Sequence, residues 1–419
     1  MSMYNMLKMI TKNSVFYTFA NSIEALSPFF LAIILTRLLD IDEYGVWVLF
    51  AAVVAFLRPL INLTIQDALR MHFYEMDDAE RARFVWSSFC LTTICTATLI
   101  AIILALSRPL SVALSMPAEW LVTIPIAACL YAAFYFLLAY NQFAHDWRRF
   151  LSLHVVQTSA SLAFIALLVF NGWGWPGVVI GKIAGLSIGC IFGIYGLVAR
   201  LQFTNVLKQP PQLSLLAKFG LQYLPTGMGL VAIPLTDRLI VTHVLGLAEN
   251  GLYGVAALFG SAVFVVINGF LHAWMPWLFR NLGDLPSKGR EIITVSVVFL
   301  VLLSLGGVIA HFVAGLIAPL IIGSQFDSAF HMIPWAIAGT VSMGYFYHNQ
   351  AYLHFRKAIL PMSLSSITCI TLNAVLSYYG AIYYGVIGVL AATIAAFLIA
   401  ALISASFIIH RYHLKFAKA

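Results

Sequence analysis

From residue 14 onward the chain is a succession of apolar runs separated by short polar breaks. A helix that crosses the hydrocarbon core of a bilayer needs roughly 20 apolar residues. Twelve such runs fit, over residues 14–36, 44–69, 84–106, 120–140, 150–170, 176–199, 223–245, 251–279, 292–314, 330–352, 359–379 and 386–409. Charged residues are only 9% of the 419, whereas a soluble domain carries about 25%. No polar coat can be assembled from so few, so the bilayer is the solvent this sequence suits. A membrane β-barrel requires short alternating segments, and these are absent. The sequence predicts an all-α polytopic membrane protein with about twelve transmembrane helices.

The net charge of +7 does not point to a nucleic-acid partner, because it is distributed with the period of the spans. Eighteen of the 23 basic residues fall in alternate loops, among them Lys8, Lys12, Arg81, Arg83, Arg148, Arg149, Arg290 and Arg356, while the opposite loops hold Arg37 and Arg108. By the positive-inside rule both termini are expected in the cytoplasm. All nine tryptophans fall at or near expected span ends, where an aromatic belt belongs. The five cysteines lie within spans without a C-x-x-C pair and read as small buried hydrophobes. Lys8 and Lys12 before an apolar run resemble a signal peptide, but the run is too long and contains Glu24, so it is expected to remain as a first helix.

Shifting the sequence by half its length exposes a duplication. Asn141-Gln142 with Arg148-Arg149 recurs as Asn349-Gln350 with Arg356-Lys357, and Gly177-Val178-Val179 recurs as Gly385-Val386-Ile387, both at an offset of 208. Thr36 with Glu43-Tyr44-Gly45-Val46 recurs as Thr242 with Leu252-Tyr253-Gly254-Val255. Six spans per half start both halves on the same side, giving two parallel six-helix repeats, residues 1–205 and 206–419. Such repeats are expected to enclose a central cavity and to work by alternating access.

The duplicated plan resembles the multidrug/oligosaccharidyl-lipid/polysaccharide (MOP) exporter superfamily. Within it, Leu35-Thr36-Arg37-Leu38-Leu39 followed by Glu43-Tyr44-Gly45, and Pro234-x-x-Asp237-Arg238-Leu239-Ile240 leading to Gly246 and Gly251-x-Tyr253, are similar to hairpins of the Wzx-type polysaccharide flippases. The resemblance implies movement of an undecaprenyl-diphosphate-linked O-antigen-type repeat unit to the periplasmic leaflet. It also implies association with a polymerase and a chain-length regulator.

An ionisable side chain at the bilayer centre costs roughly 2.5–3.5 kcal/mol on insertion scales and is a functional candidate by default. Arg58 (beside Pro59), Lys182 and Arg238 are the cationic candidates for binding an anionic lipid diphosphate. Arg offers paired hydrogen bonds to phosphate oxygens and Lys a point charge. Glu24 and Asp237 are the candidates for coupling to an ion gradient, since rearrangement during transport lets a carboxyl bind and release a proton. The alternative is structural pairing, Glu24 with Arg58 above all. Asp67 and Arg70 read as interfacial anchors, and Asp40, Asp42 and Glu43 as a solvated turn. Phe134-Tyr135-Phe136 reads as helix packing before sugar stacking. His272, His311, His331 and His348 have no metal-ligand spacing, and with no P-loop the chain is expected to use no ATP, metal or cofactor and to be no enzyme. A drug/cation antiporter of the same superfamily is the nearest rival, though it calls for an acidic cavity. A membrane O-antigen polymerase would need a larger outward loop than residues 107–119 or 315–329 provide.

Overall fold

The computed structural model describes residues 22–23, 25–201, 210–282, 285–356 and 358–411, and among them there is no strand. By contacts the chain divides into two compact units, residues 1–235 and 236–419. Unit 1 contains α1 (Ala25–Leu38), α2 (Ile41–Asn62), the short α3 (Ile65–His72), α4 (Asp78–Ala105), α5 (Ser107–Ala113), α6 (Thr123–Phe143), α7 (Trp147–Phe170) and α8 (Gly174–Val198). The helix α9 (Leu213–Leu245) starts in unit 1 and ends in unit 2. Unit 2 continues with α10 (Leu247–Asn281), α11 (Leu285–Ile321) and α12 (Ile333–Phe355). The stretch Ile359–Arg411 is two helices, α13 (359–384) and α14 (386–411), meeting at Gly385.

Among the described residues, eight helical stretches are long and apolar enough to cross a membrane, and Leu360–His410 among them holds both α13 and α14. With α1, α9 and α12 they make the expected set of about twelve. The chain is a multi-pass, all-α membrane protein.

Two helix starts in unit 1 have a local cause. Asp77 and Glu80 form a capping box on α4, with Glu80 N donating to Asp77 Oδ1 at 2.8 Å and Asp77 N to Glu80 Oε2 at 3.0 Å. Asp146 caps α7 by accepting from Arg149 N at 3.1 Å, and its carboxylate also pairs with Arg200. The expected second span is not continuous. It breaks at Leu63 and Thr64, both left-handed (φ 45° and 53°), where Asn62 Oδ1 accepts from Thr64 N at 3.0 Å. The residues beyond form α3, in which Arg70 pairs with Asp67 at 3.3 Å.

The helices α7 and α8 form a close hairpin because α8 presents a small residue each turn. A Cβ at Gly185 would sit 2.1 Å from Ser161 Oγ and 2.5 Å from Ser161 N, and one at Gly181 would sit 2.6 Å from Ile165 N. Small residues four apart let two membrane helices approach to backbone contact. The start of α9 is fastened to α4, where Arg83 donates to Pro210 O at 3.2 Å and Gln212 N donates to Ser87 Oγ at 2.9 Å. In unit 2, Gly385 turns α13 into α14 with φ 62°, a conformation glycine adopts without Cβ strain.

Candidate functional site

Two of the expected cations come together in unit 1. Arg58 on α2 lies 4.6 Å from the centroid of the Tyr135 ring, and Lys182 Nζ on α8 lies 5.4 Å from that of Tyr131. Tyr131 and Tyr135 are one turn apart on α6, and their rings stack at 6.2 Å with planes 16° apart. All four side chains are half-buried, whereas Phe134 and Phe136 beside them are buried in the unit 1 core. The expectation that residues 134–136 serve packing holds for the two phenylalanines, and Tyr135 packs against the same core while also facing Arg58. Among the described residues no carboxylate lies within ion-pair distance of Arg58 or Lys182. The rings supply the stabilisation instead, at about 0.5–2 kcal/mol per cation–π contact.

Glu24, the other carboxyl candidate, lies outside the described residues, as does its pairing with Arg58. Glu43 is described, and it is no solvated turn. Its Oε1 accepts from Trp175 N at 3.4 Å, at the N-terminus of α8 where peptide dipoles favour a carboxylate.

In unit 2, Asp237 on α9 is 1% exposed. Its Oδ1 accepts from Ser377 Oγ at 3.0 Å, and its Oδ2 accepts from Thr393 Oγ1 at 2.9 Å and Tyr253 OH at 3.1 Å. The donors come from α13, α14 and α10. Asn373, one turn before Ser377, donates to Thr393 Oγ1 at 3.1 Å. Its own carbonyl Oδ1 is buried without a hydrogen-bond partner among the described residues. The result is a buried nest of one carboxylate, two aliphatic hydroxyls, a phenol and an amide oxygen. Such a set can hold a proton on the carboxyl or a small hard cation among the oxygens. Arg238, next in sequence, faces the ring of Tyr253 at 5.6 Å. The one phenol thus touches both neighbours, through its hydroxyl and through its face.

Sequence reasoning found Arg58, Lys182, Asp237 and Arg238 by their charge and missed the neutral partners. A usable signal was present in two of them. Asn373 and Ser377 are spaced by four, as are Tyr131 and Tyr135, and each pair puts polar atoms on one face of an apolar helix.

Other features carry no such chemistry. An apolar groove of about 450 Å³ between α10 and α11 is lined by residues such as Val266, Phe270, Val298, Phe299 and Leu302, with no charged side chain. Trp274, expected at a membrane interface, is buried and stacked on His348 at 5.3 Å and Phe270 at 5.8 Å. Among the described residues no group of three His, Cys, Asp or Glu side chains is placed to hold a metal ion.

Residues 10–282 match the model of a family described as "Polysaccharide biosynthesis protein", more than half of the chain. The chain belongs to that family. No curated protein matches this polysaccharide biosynthesis protein in sequence. Among solved structures, it is similar to a MATE family multidrug transporter of the MOP superfamily in an inward-facing conformation. The TM-score is 0.77 at 14% identity, over 94% of this chain and 96% of that one. It is also similar to the lipid II flippase MurJ (TM-score 0.67, 14% identity, 94% of this chain and 87% of that one). A third likeness is to a MOP superfamily transporter from Pyrococcus furiosus described as having a binding pocket of reverse polarity (TM-score 0.60, 14% identity, 97% and 95%). Likeness at this identity establishes the MOP fold and nothing finer. Family and fold together make this chain a multi-pass membrane polysaccharide biosynthesis protein with the MOP fold.

Proposed function

We propose that this protein flips an undecaprenyl-diphosphate-linked oligosaccharide, an O-antigen-type repeat unit, from the cytoplasmic to the periplasmic leaflet of a bacterial inner membrane by alternating access. The observation that carries the reading is the pair Arg58 and Lys182, cations held in unit 1 on the stacked rings of Tyr131 and Tyr135. Holding two cations inside a membrane protein with no carboxylate beside either among the described residues is expensive, and an anionic headgroup repays it through charge-assisted hydrogen bonds. A cationic drug would be repelled by the same pair, which disfavours the antiporter reading. The family's association with polysaccharide synthesis supplies the glycan. Arg238 is proposed as a further contact for the anion, and a polymerase and chain-length regulator as functional partners.

Transport is proposed to draw on an ion gradient through Asp237. Occupation of its nest by a proton or a monovalent cation changes the hydrogen bonds of three helices at once, which is how a small ligand biases a packed element between two states.

A surface-glycan gel tests the substrate. In a strain lacking the gene, wild-type protein is expected to restore the polysaccharide ladder, and well-expressed Arg58→Ala to restore less than about a tenth of it, the loss of one strong charged contact. A ladder unchanged by the deletion, in a strain with no second flippase, overturns the O-antigen assignment. A deletion strain that keeps one repeat unit on the core points to a polymerase instead.

A further inference from the structure

Among the described residues Arg58 and Lys182 rest on rings rather than on carboxylates, and the resting place is regular. Tyr131 and Tyr135 stand one turn apart on α6 with nearly parallel rings, one cation against each. Both rings pack against the unit 1 core with part of their surface and stay half-buried, while Ala132, Phe134 and Phe136 between and beside them are buried. The part of each ring that lies outside the core is the part that carries a cation. A cation–π contact is weaker than a charge-assisted hydrogen bond to a phosphate oxygen. An arriving phosphoryl group consequently draws both cations off their rings. What it uncovers on each ring is a flat, apolar face with a hydroxyl at its edge, the amphipathic surface that tyrosine brings to recognition sites. The C–H face of a pyranose ring has the matching shape and polarity, and in a lipid-linked glycan the first sugar is bonded directly to the phosphate that displaced the cations.

We propose that Tyr131 and Tyr135 are the residues that recognise the sugar: they hold Arg58 and Lys182 while the site is empty, release them to the phosphates, and stack on the sugar attached to those phosphates. The proposal rests on the reading of the substrate as an anionic lipid-linked glycan. It adds that the protein distinguishes a glycosylated diphosphate from a bare one, and says where.

The test uses the full-length protein in lipid nanodiscs with two probes, farnesyl diphosphate and farnesyl diphosphate bearing N-acetylglucosamine. The unsubstituted protein is expected to bind the sugar-bearing probe about fivefold more tightly or better. Tyr131→Leu/Tyr135→Leu is expected to lose that preference while still binding bare farnesyl diphosphate. Tyr131→Phe/Tyr135→Phe, which retains both rings, is expected to keep most of the preference, and the single Tyr131→Leu and Tyr135→Leu variants to lose part of it. A preference that survives in the leucine variants overturns the proposal, and so does an equal loss of both probes in them, which would leave the rings as supports for the cations alone. Binding of the two probes with equal affinity by the unsubstituted protein overturns it while leaving the anionic substrate standing. Binding of neither overturns the transport reading itself.

Discussion

A carboxylate with 1% exposure has to find its hydrogen bonds inside the protein, and Asp237 finds three, from Ser377, Thr393 and Tyr253. Asp237→Asn keeps the size of the side chain and removes its charge, so it separates packing from ion binding. The variant is expected to fold and insert normally. In proteoliposomes its flipping rate should fall about tenfold or more and lose its response to an imposed proton or sodium gradient, a change of at least about 1.4 kcal/mol at the coupling step. A rate that stays gradient-dependent removes Asp237 from coupling. The aspartate itself was legible in the sequence, because a charge inside a span is expensive enough to need a reason. Its partners were not. Ser and Thr in these helices commonly bond their own backbone one turn back, as Thr36 does to Ala32 O, Ser88 to Phe84 O and Ser404 to Ala400 O. A hydroxyl in a span is therefore no signal until the tertiary structure shows which ones turn away from their own helix. Arg58 and Lys182 were legible for the same reason as Asp237, and the tyrosines beneath them were hidden among the 18 of the chain.

At the scale of elements, apolar runs placed all of the described spans, since burial in hydrocarbon leaves a run of fixed length whatever the tertiary contacts. What escaped was the break in the second span. Leu63 and Thr64 carry no left-handed preference, and the conformation costs each about 1–2 kcal/mol, met partly by the Asn62 side chain. The duplication was visible in the match of Gly177-Val178-Val179 to Gly385-Val386-Ile387. The conformations at the two sites differ, since Gly385 is the left-handed turn before α14 whereas the left-handed glycines before and at the start of α8 are Gly172 and Gly174. Within α8 the close face is testable. Gly185→Ala forces a methyl to within 2.5 Å of the Ser161 backbone, which cannot yield as a side chain can. It should destabilise unit 1 by about 1–3 kcal/mol, read as a lower melting temperature in detergent and a smaller folded yield. Gly269→Ala on α10, where a Cβ would meet nothing within 4 Å, is the control and should be neutral or raise stability by up to about 1 kcal/mol. Equal melting of the two variants would mean that α7 and α8 are not in backbone contact at Ser161.

For the molecule as a whole, orientation in the bilayer follows from where the helix ends carry charge. Most of the described basic residues outside the spans gather where α3 meets α4, α6 meets α7, α8 meets α9, α10 meets α11 and α12 ends, at Arg70, Arg81, Arg83, Arg148, Arg149, Arg200, Lys218, Arg280, Lys288, Arg290 and Arg356, whereas Arg37 and Arg108 lie at the opposite ends. The turn between α7 and α8, by contrast, is Asn171-Gly172-Trp173 with no charge at all. A membrane potential and an anionic inner leaflet are expected to hold the larger set on the cytoplasmic side, which would put the α7–α8 turn outside. Some of these cations also have structural duties, Arg149 donating to Gly196 O and Arg200 pairing with Asp146, so single-charge substitutions would confuse folding with orientation. Cysteine accessibility avoids that difficulty. In a background with Cys90, Cys95, Cys129, Cys190 and Cys369 replaced, Asn171→Cys is expected to react with a membrane-impermeant maleimide in spheroplasts, and Arg148→Cys only after the membrane is opened. Both positions are exposed at helix ends, so failure to label reports the membrane rather than burial. The reverse pattern would invert every span. Because α2, α6 and α8 run in one direction, it would also reverse the order in which a substrate from the cytoplasm meets Arg58 and Lys182: Arg58 lies 17 residues into α2, and Lys182 lies 8 into α8. At about 1.5 Å of rise per residue, the expected orientation places Arg58 toward the cytoplasmic leaflet and Lys182 toward the periplasmic one, the order an anion flipped outward requires.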